Sequence, residues 1–376
     1  MGSAYTPGLT VSGDIIVRRV RRLPIKGEVL VKPGDPVQPD QVIARALLPG
    51  ALQTIKLAEK LGVEPKDAIA MLNVKVGDPV APGQVVAEGK KLFGVFKAPT
   101  VVSDLTGTVE SFSEVTGNVL VREPSIPVDI NAYMEGKVAE VLPEEGAIIE
   151  TRGAMVQGIF GIGGERVGEV RVAVHSPDQA LHADEIHESD KGKIIVGGSG
   201  ISYDAIEKAQ RMGVLGLIAG GVKDSDLVKY LGYDIGVAIT GTESIPLSIL
   251  VTEGFGYLAM AHRTFDLLKS LEGKRASLNG ATQIRAGVIR PELVVPQMSA
   301  TGDAPVAQTG GELGVGSSIR VIREPYFGAL GKVTDLPATL VRLESGTEVR
   351  VLKAKLEDGA EVTVPRANVE IIASGR

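Results

Sequence analysis

A chain of 376 residues, 44% of them hydrophobic, has enough apolar surface for roughly two to four globular domains, which excludes an intrinsically disordered chain. The absence of cysteine excludes disulfides, thiolate metal sites and cysteine nucleophiles, and a formal net charge of −6 argues against a general nucleic-acid binder. With 4% aromatic residues and no Trp, the cores must be built from Val, Ile, Leu and Ala, while 47 Gly and 21 Pro point to the many tight turns of short-stranded β architecture.

The first ten residues carry no basic-then-apolar secretion pattern. The next feature is a basic cluster, Arg18-Arg19-Val20-Arg21-Arg22, alternating with Val17 and Val20. That alternation reads as an edge strand whose charge discourages unwanted pairing; a phosphate-contacting arm is the alternative. A near-duplicate follows. Val31–Ala44 reads VKPGDPVQPDQVIA and Val74–Ala87 reads VKVGDPVAPGQVVA, with ten of fourteen positions identical at an offset of 43. Gly34-Asp35 and Gly77-Asp78 supply turns, and Val37, Val42, Val80 and Val85 supply strand positions. Between the copies, over 51–72, the apolar spacing predicts helices at Leu52–Leu61 and Pro65–Met71.

The β, Gly-Asp-x-Val, x-Pro-Gly-Gln-x-Val pattern resembles the half-motif of the barrel-sandwich hybrid fold of biotinyl and lipoyl carriers. A looser third half is Ala98–Gly117 and a fourth is Ala132–Gly153. The resemblance covers roughly residues 24–175 and implies a β scaffold, so a barrel-sandwich hybrid β region is expected over residues 1–175. Carriers of this family present a modifiable lysine at a hairpin tip, whereas the turns Ser111–Glu114 and Val141–Glu144 hold none, so no covalent cofactor is expected.

Within Met155–Val170, Gly161-Ile162-Gly163-Gly164-Glu165 is superficially similar to a nucleotide loop. An alternating strand follows it, not a helix, so a β-hairpin turn is expected. Residues 176–192 read as a connector. His182 and His187 are five apart, which misses the helical spacing of a two-histidine metal site, and no metal is expected.

Residues 193–298 alternate short apolar strands (Lys193–Val196, Val214–Ile218, Ile235–Ile239) with amphipathic helices (Ser202–Met212, Asp224–Tyr230, His262–Leu271), a βαβ pattern with a small parallel sheet. Ligands of such sheets bind at the loops beyond the strands. The candidate ligand-binding residues are therefore Gly197, Gly198, Ser199 and Gly200, an anion nest opening onto a helix capped by Ser202, together with Thr240, Glu243, Glu253, Asn279 and Arg285. Glu253, at a strand end among apolar residues, is the candidate acid–base group. In layout this segment resembles the small swivelling α/β domains of phosphotransfer and aconitase-type proteins, without a phosphorylatable loop histidine.

Residues 299–315 read as a linker. Strand after strand then runs from 316 to 376, and Gly316–Val333 (GSSIRVIREPYFGALGKV) resembles the KOW motif, implying an SH3-like barrel. From 314 to 376 nine Lys or Arg face eight Asp or Glu, a balance that makes phosphate neutralisation a small term. Protein binding through Tyr326 and Phe327 therefore ranks above RNA binding. The expected whole is a β-rich plus α/β multidomain protein: tandem barrel-sandwich units, a small βαβ domain and a C-terminal barrel. The function expected is that of a non-catalytic cytoplasmic scaffold docking on a protein partner or on itself, with no membrane contact. A KOW-containing transcription- or translation-associated factor and a metabolite-binding protein or enzyme are the alternatives.

Overall fold

The computed structural model describes residues 9–89, 98–234, 240–241, 243, 245–283, 289–297, 304, 313–321, 325–326, 329–342 and 348–371. It is β-rich, with several sheets built around separate hydrophobic cores. The expected strand Ile235–Ile239 and most of the expected linker lie outside the described residues.

The two repeat copies fold alike. Gly34 and Gly77 adopt φ of +89° and +92°, which a glycine reaches without steric cost. Asp35 and Asp78 each accept the amide three residues back, Lys32 and Lys75, at 2.8 Å in both copies. Gly34 donates its amide to Val138 O and Gly77 to Val109 O, again at 2.8 Å in each. Each copy thus pairs with its own later half: Pro36–Val37 with the strand Gly136–Leu142, and Pro79–Val80 with Gly107–Ser113.

These units are nested rather than tandem. Strand Val42–Leu48 pairs antiparallel with Ile126–Asn131, in a register that puts Leu48 opposite Ile126. Everything between, including the whole second copy, is an insertion at that hairpin. It has its own four-stranded sheet and its own core of Ile55, Leu57, Val80, Val109 and Val119. The helix expected at Leu52–Leu61 is in fact a strand, Leu52–Ile55, followed by a short helix, Leu57–Leu61. Pairing of Ile55 with Val119 outweighs the helical spacing, since it buries Ile55 to 2% exposure.

The largest sheet joins the N-terminal unit to the α/β region. Strands Glu165–Val172, Lys193–Val196, Gly216–Val222 and Ser248–Phe255 lie parallel in that spatial order. Helices Tyr203–Met212 and Asp224–Leu231 connect the later pairs. Arg275–Asn279 pairs antiparallel with Glu165–Val172, then with Glu292–Pro296, which pairs with Gly146–Gln157. Phe160–Ile162, three residues beyond Gln157, pairs with Ser248–Phe255 at the opposite end of this order. The sheet therefore curls round so that its edge strand Phe160–Ile162 follows directly in the chain on Gly146–Gln157, seven strands away in the sheet order. The expected hairpin at Gly161–Glu165 is not formed, because the strands flanking that turn have different partners. The strands of 146–172 were expected in the N-terminal β region, yet they belong to this shared sheet.

The C-terminal residues form a six-stranded antiparallel sheet from Ser318–Val321 to Val369–Ile371, around Ile319, Val333, Leu352 and Val364. Among the described residues no helix is long and apolar enough to cross a membrane.

Candidate functional site

The loop Gly197–Gly200 leaves the carboxyl end of Lys193–Val196, as a ligand loop would, but it is packed shut. Gly197 donates to Ile218 O, Ser199 to Gln179 O and Ser202 to Leu181 O at 2.8, 3.0 and 3.0 Å. A Cβ on Gly198 would stand 2.3 Å from Gln179 O, and one on Gly200 would stand 2.4 Å from the Tyr257 ring. These glycines let two segments cross closely, and the expected anion nest is closed by residues 176–181 and Tyr257. Ser202 does cap its helix, accepting the Ala205 amide at 3.3 Å.

Thr240, Glu243 and Asn279 lie at the other edge of the sheet, where the parallel strands begin. Thr240 Oγ1 donates to Gly161 O at 2.7 Å and accepts the Thr282 amide at 2.9 Å. Glu243 accepts the amides of Gly163 and Gly241 at 2.9 and 2.7 Å. Asn279 accepts the Ala281 amide at 2.9 Å, as in an Asx turn. The Gly161–Glu165 turn is thus held by side chains of two loops, Thr240 and Glu243 from one and Thr282, whose hydroxyl accepts the Gly161 amide at 2.9 Å, from the other.

Glu253 sits at the far end of Ser248–Phe255. Its separation from Ser248, five residues along a strand, is about 17 Å, so it does not share a site with Thr240 and Glu243. Its side chain is 3% exposed and pairs with Arg320 of the C-terminal sheet at 3.3 Å. It also accepts the Ala261 amide at 3.1 Å. The expected acid–base residue is therefore the anchor between two parts of the molecule. Arg285 and Phe327 lie outside the described residues, and Tyr326 is 39% exposed. The strand pairing also adds a hairpin to the turns considered for a carrier lysine. Val85–Glu88 pairs with Thr100–Val102, and the connection includes Lys90, Lys91 and Lys97, which lie outside the described residues.

One polar cluster was not anticipated. Tyr133 has φ of +74°, an uncommon conformation for a non-glycine residue, and its ring is buried. Its hydroxyl donates to Glu292 at 3.4 Å, and Glu292 is paired with Arg19. Arg21 lies 5.4 Å from the Tyr133 ring centroid and pairs with Glu165 at 2.5 Å. Burial, reinforced by the Glu292 carboxylate, pushes the Tyr133 hydroxyl well above its ordinary pKa. For Arg19 burial is the largest effect and acts to lower its pKa, but the Glu292 hydrogen bond and the charge of that carboxylate, with the Tyr133 hydroxyl, together outweigh it and raise it. The alternation of Arg19 and Arg21 was the available signal, while their acidic partners lie more than a hundred residues away. Arg18 and Arg22 pair with Glu150 and Glu145, so all four arginines of the basic cluster are matched by carboxylates.

His182 and His187 donate their backbone amides to Glu185 and Asp190 at 2.9 and 2.8 Å, and Asp190 pairs with Arg171. Among the described residues no three His, Asp or Glu side chains are grouped to hold a metal ion. The chain matches no protein-family model and no curated protein.

Proposed function

We propose that this chain is a non-catalytic scaffold, built from nested barrel-sandwich units, a swivelling-type α/β unit and a C-terminal SH3-like barrel. It works by docking on a protein partner or on a second copy of itself. The observation that carries this reading is the insertion at the Leu48–Ile126 hairpin. A self-contained unit with its own core is inserted at the end of the strand pair Val42–Leu48 and Ile126–Asn131. The core of this unit is separate from the one that Val42–Leu48 and Ile126–Asn131 help to close through Ile43 and Ile130, and the unit exposes apolar side chains such as Val115 (86%) and Val76 (59%). A second support is the use made of the expected acid–base residue: Glu253 is committed to Arg320. The KOW-like reading keeps a protein partner ahead of RNA, because the charges of the last 63 residues nearly balance.

The experiment is light scattering on the purified chain, combined with capture from its source cells with and without nuclease, each repeated on a form lacking 52–122. Self-association or capture of one defined complex, insensitive to nuclease and lost with the insertion, supports the scaffold. A monomer that captures only ribosomes or polymerase, released by nuclease, overturns it in favour of the nucleic-acid-associated reading.

A further inference from the structure

We propose that the buried Glu253–Arg320 pair is a latch, and that releasing it lets the C-terminal sheet swing off the α/β region as an intact unit. The sheet has the means to exist undocked. It closes its own core around Ile319, Val333, Leu352 and Val364, and the partly buried side chains packed on that core, Leu313, Ala329 and Leu336, are its own. Among the described residues none of its strands pairs with a strand of the rest of the molecule.

The attachment is narrow. Arg320 to Glu253, at 3.3 Å, is the only hydrogen bond or ion pair between described residues that crosses the junction. Beside the pair, the start of the helix His262–Ser270 and the C-terminal strands leave a cleft of about 490 Å3. Well-packed interiors leave few voids larger than a water molecule, so this junction is not sealed as a core is. Val11 and Met260 line the cleft from one side of the junction and Leu330 and Leu356 from the other, and opening turns both walls to solvent.

An ion pair suits a latch because its two halves fail together. Withdrawing two charges from water offsets most of their attraction, so a buried pair adds little net stability. One charge buried without the other is strongly unfavourable. The side chains of Glu253 and Arg320 are 3% and 7% exposed, so docking tolerates both charges or neither. Glu253 is itself fixed, since it also accepts the Ala261 amide at 3.1 Å, and the movable half is Arg320 on Ser318–Val321. Neutralising or engaging either charge releases the sheet, which gives the fold two discrete states. This device lies outside the scaffold reading and is independent of the insertion that carries it.

The test exploits the absence of cysteine from the chain. Spin labels on Lys269→Cys and Lys355→Cys, exposed positions on the two sides of the junction, report the distance from helix to sheet by double electron–electron resonance. A single narrow distance is expected with the pair intact. Glu253→Gln keeps an oxygen for the Ala261 amide but leaves Arg320 charged and alone, and should raise the undocked-to-docked ratio about a hundredfold. The second distance should disappear again when Glu253→Gln is combined with Arg320→Met, which leaves no charge buried. Hydrogen exchange should meanwhile keep Ile319, Val333 and Leu352 protected in every variant. An unchanged single distance in Glu253→Gln overturns the proposal, as does a second distance that survives in the double variant. Loss of protection at those three residues overturns it too, because the sheet would then be unfolding and not undocking.

Discussion

Glu150 joins three strands with one carboxylate. It lies on Gly146–Gln157, accepts Arg18 from Val11–Arg22 at 2.7 Å and Lys137 from Gly136–Leu142 at 3.2 Å, and is 13% exposed. Burial alone would raise its pKa, but the hydrogen bonds from Arg18 and Lys137 outweigh it and leave the carboxyl below its ordinary 4.5. Because the unfolded chain binds this proton more readily, the contribution is complete above the ordinary glutamate range. It is lost as pH falls through the depressed folded value. Glu150→Gln should therefore cost about 1 kcal/mol near pH 7, and the cost should shrink toward zero in acid. Urea midpoints of the wild type and the variant across that range measure it; a cost that persists well below pH 4.5 would contradict the assignment.

At the scale of elements, the two Gly-Asp-Pro-Val turns are duplicates in energy as well as shape. Gly34 and Gly77 have nothing within 4 Å of an added Cβ, so substitution there acts through the left-handed backbone alone. Gly34→Ala and Gly77→Ala should each cost about 1–2 kcal/mol. The first should be felt in the unit around Ile15 and Ile149, and the second in the insertion around Val80 and Val109. Gly136 and Gly107 are duplicated too, but for a different reason. A Cβ would stand 2.3 Å from Glu150 O in one and 2.1 Å from Arg122 O in the other, so alanine there must push a neighbouring strand away. Residue-resolved hydrogen exchange on the four variants separates the two causes. Strain leaves the ladder protected, whereas displacement opens it.

The whole molecule is a large curled sheet from which one unit projects and onto which another docks. Where the projecting unit begins and ends, Glu123 donates its amide to Ala51 O at 2.9 Å and Leu48 faces Ile126. The two chain ends therefore meet, and a short turn can replace the insertion without moving either. A chain with 51–123 replaced by such a turn should keep its main unfolding transition, and the excised segment should fold by itself. Calorimetry of the two pieces should together reproduce the transitions of the intact chain. Loss of cooperative unfolding in the shortened chain would mean that the insertion is part of the main fold.

Local chemistry in the sequence determined the turns and most elements. The Gly-Asp-Pro-Val repeats, the strand Lys193–Val196, the Ser202 cap and the helices near 203, 224 and 262 all follow from φ preferences, side-chain caps and spacing that act within a few residues. Pairing acts between residues far apart in the chain, and only the tertiary structure decided it. It nested one repeat inside the other, turned Leu52–Ile55 from helix to strand and curled the large sheet between Gly146–Gln157 and the edge strand Phe160–Ile162. The candidate site separated for the same reason. Thr240, Glu243 and Glu253 are near neighbours in sequence, but a strand carries each residue about 3.3 Å further from the last. Glu253 thus emerged at the opposite edge, where Arg320, sixty-seven residues later, determined its role.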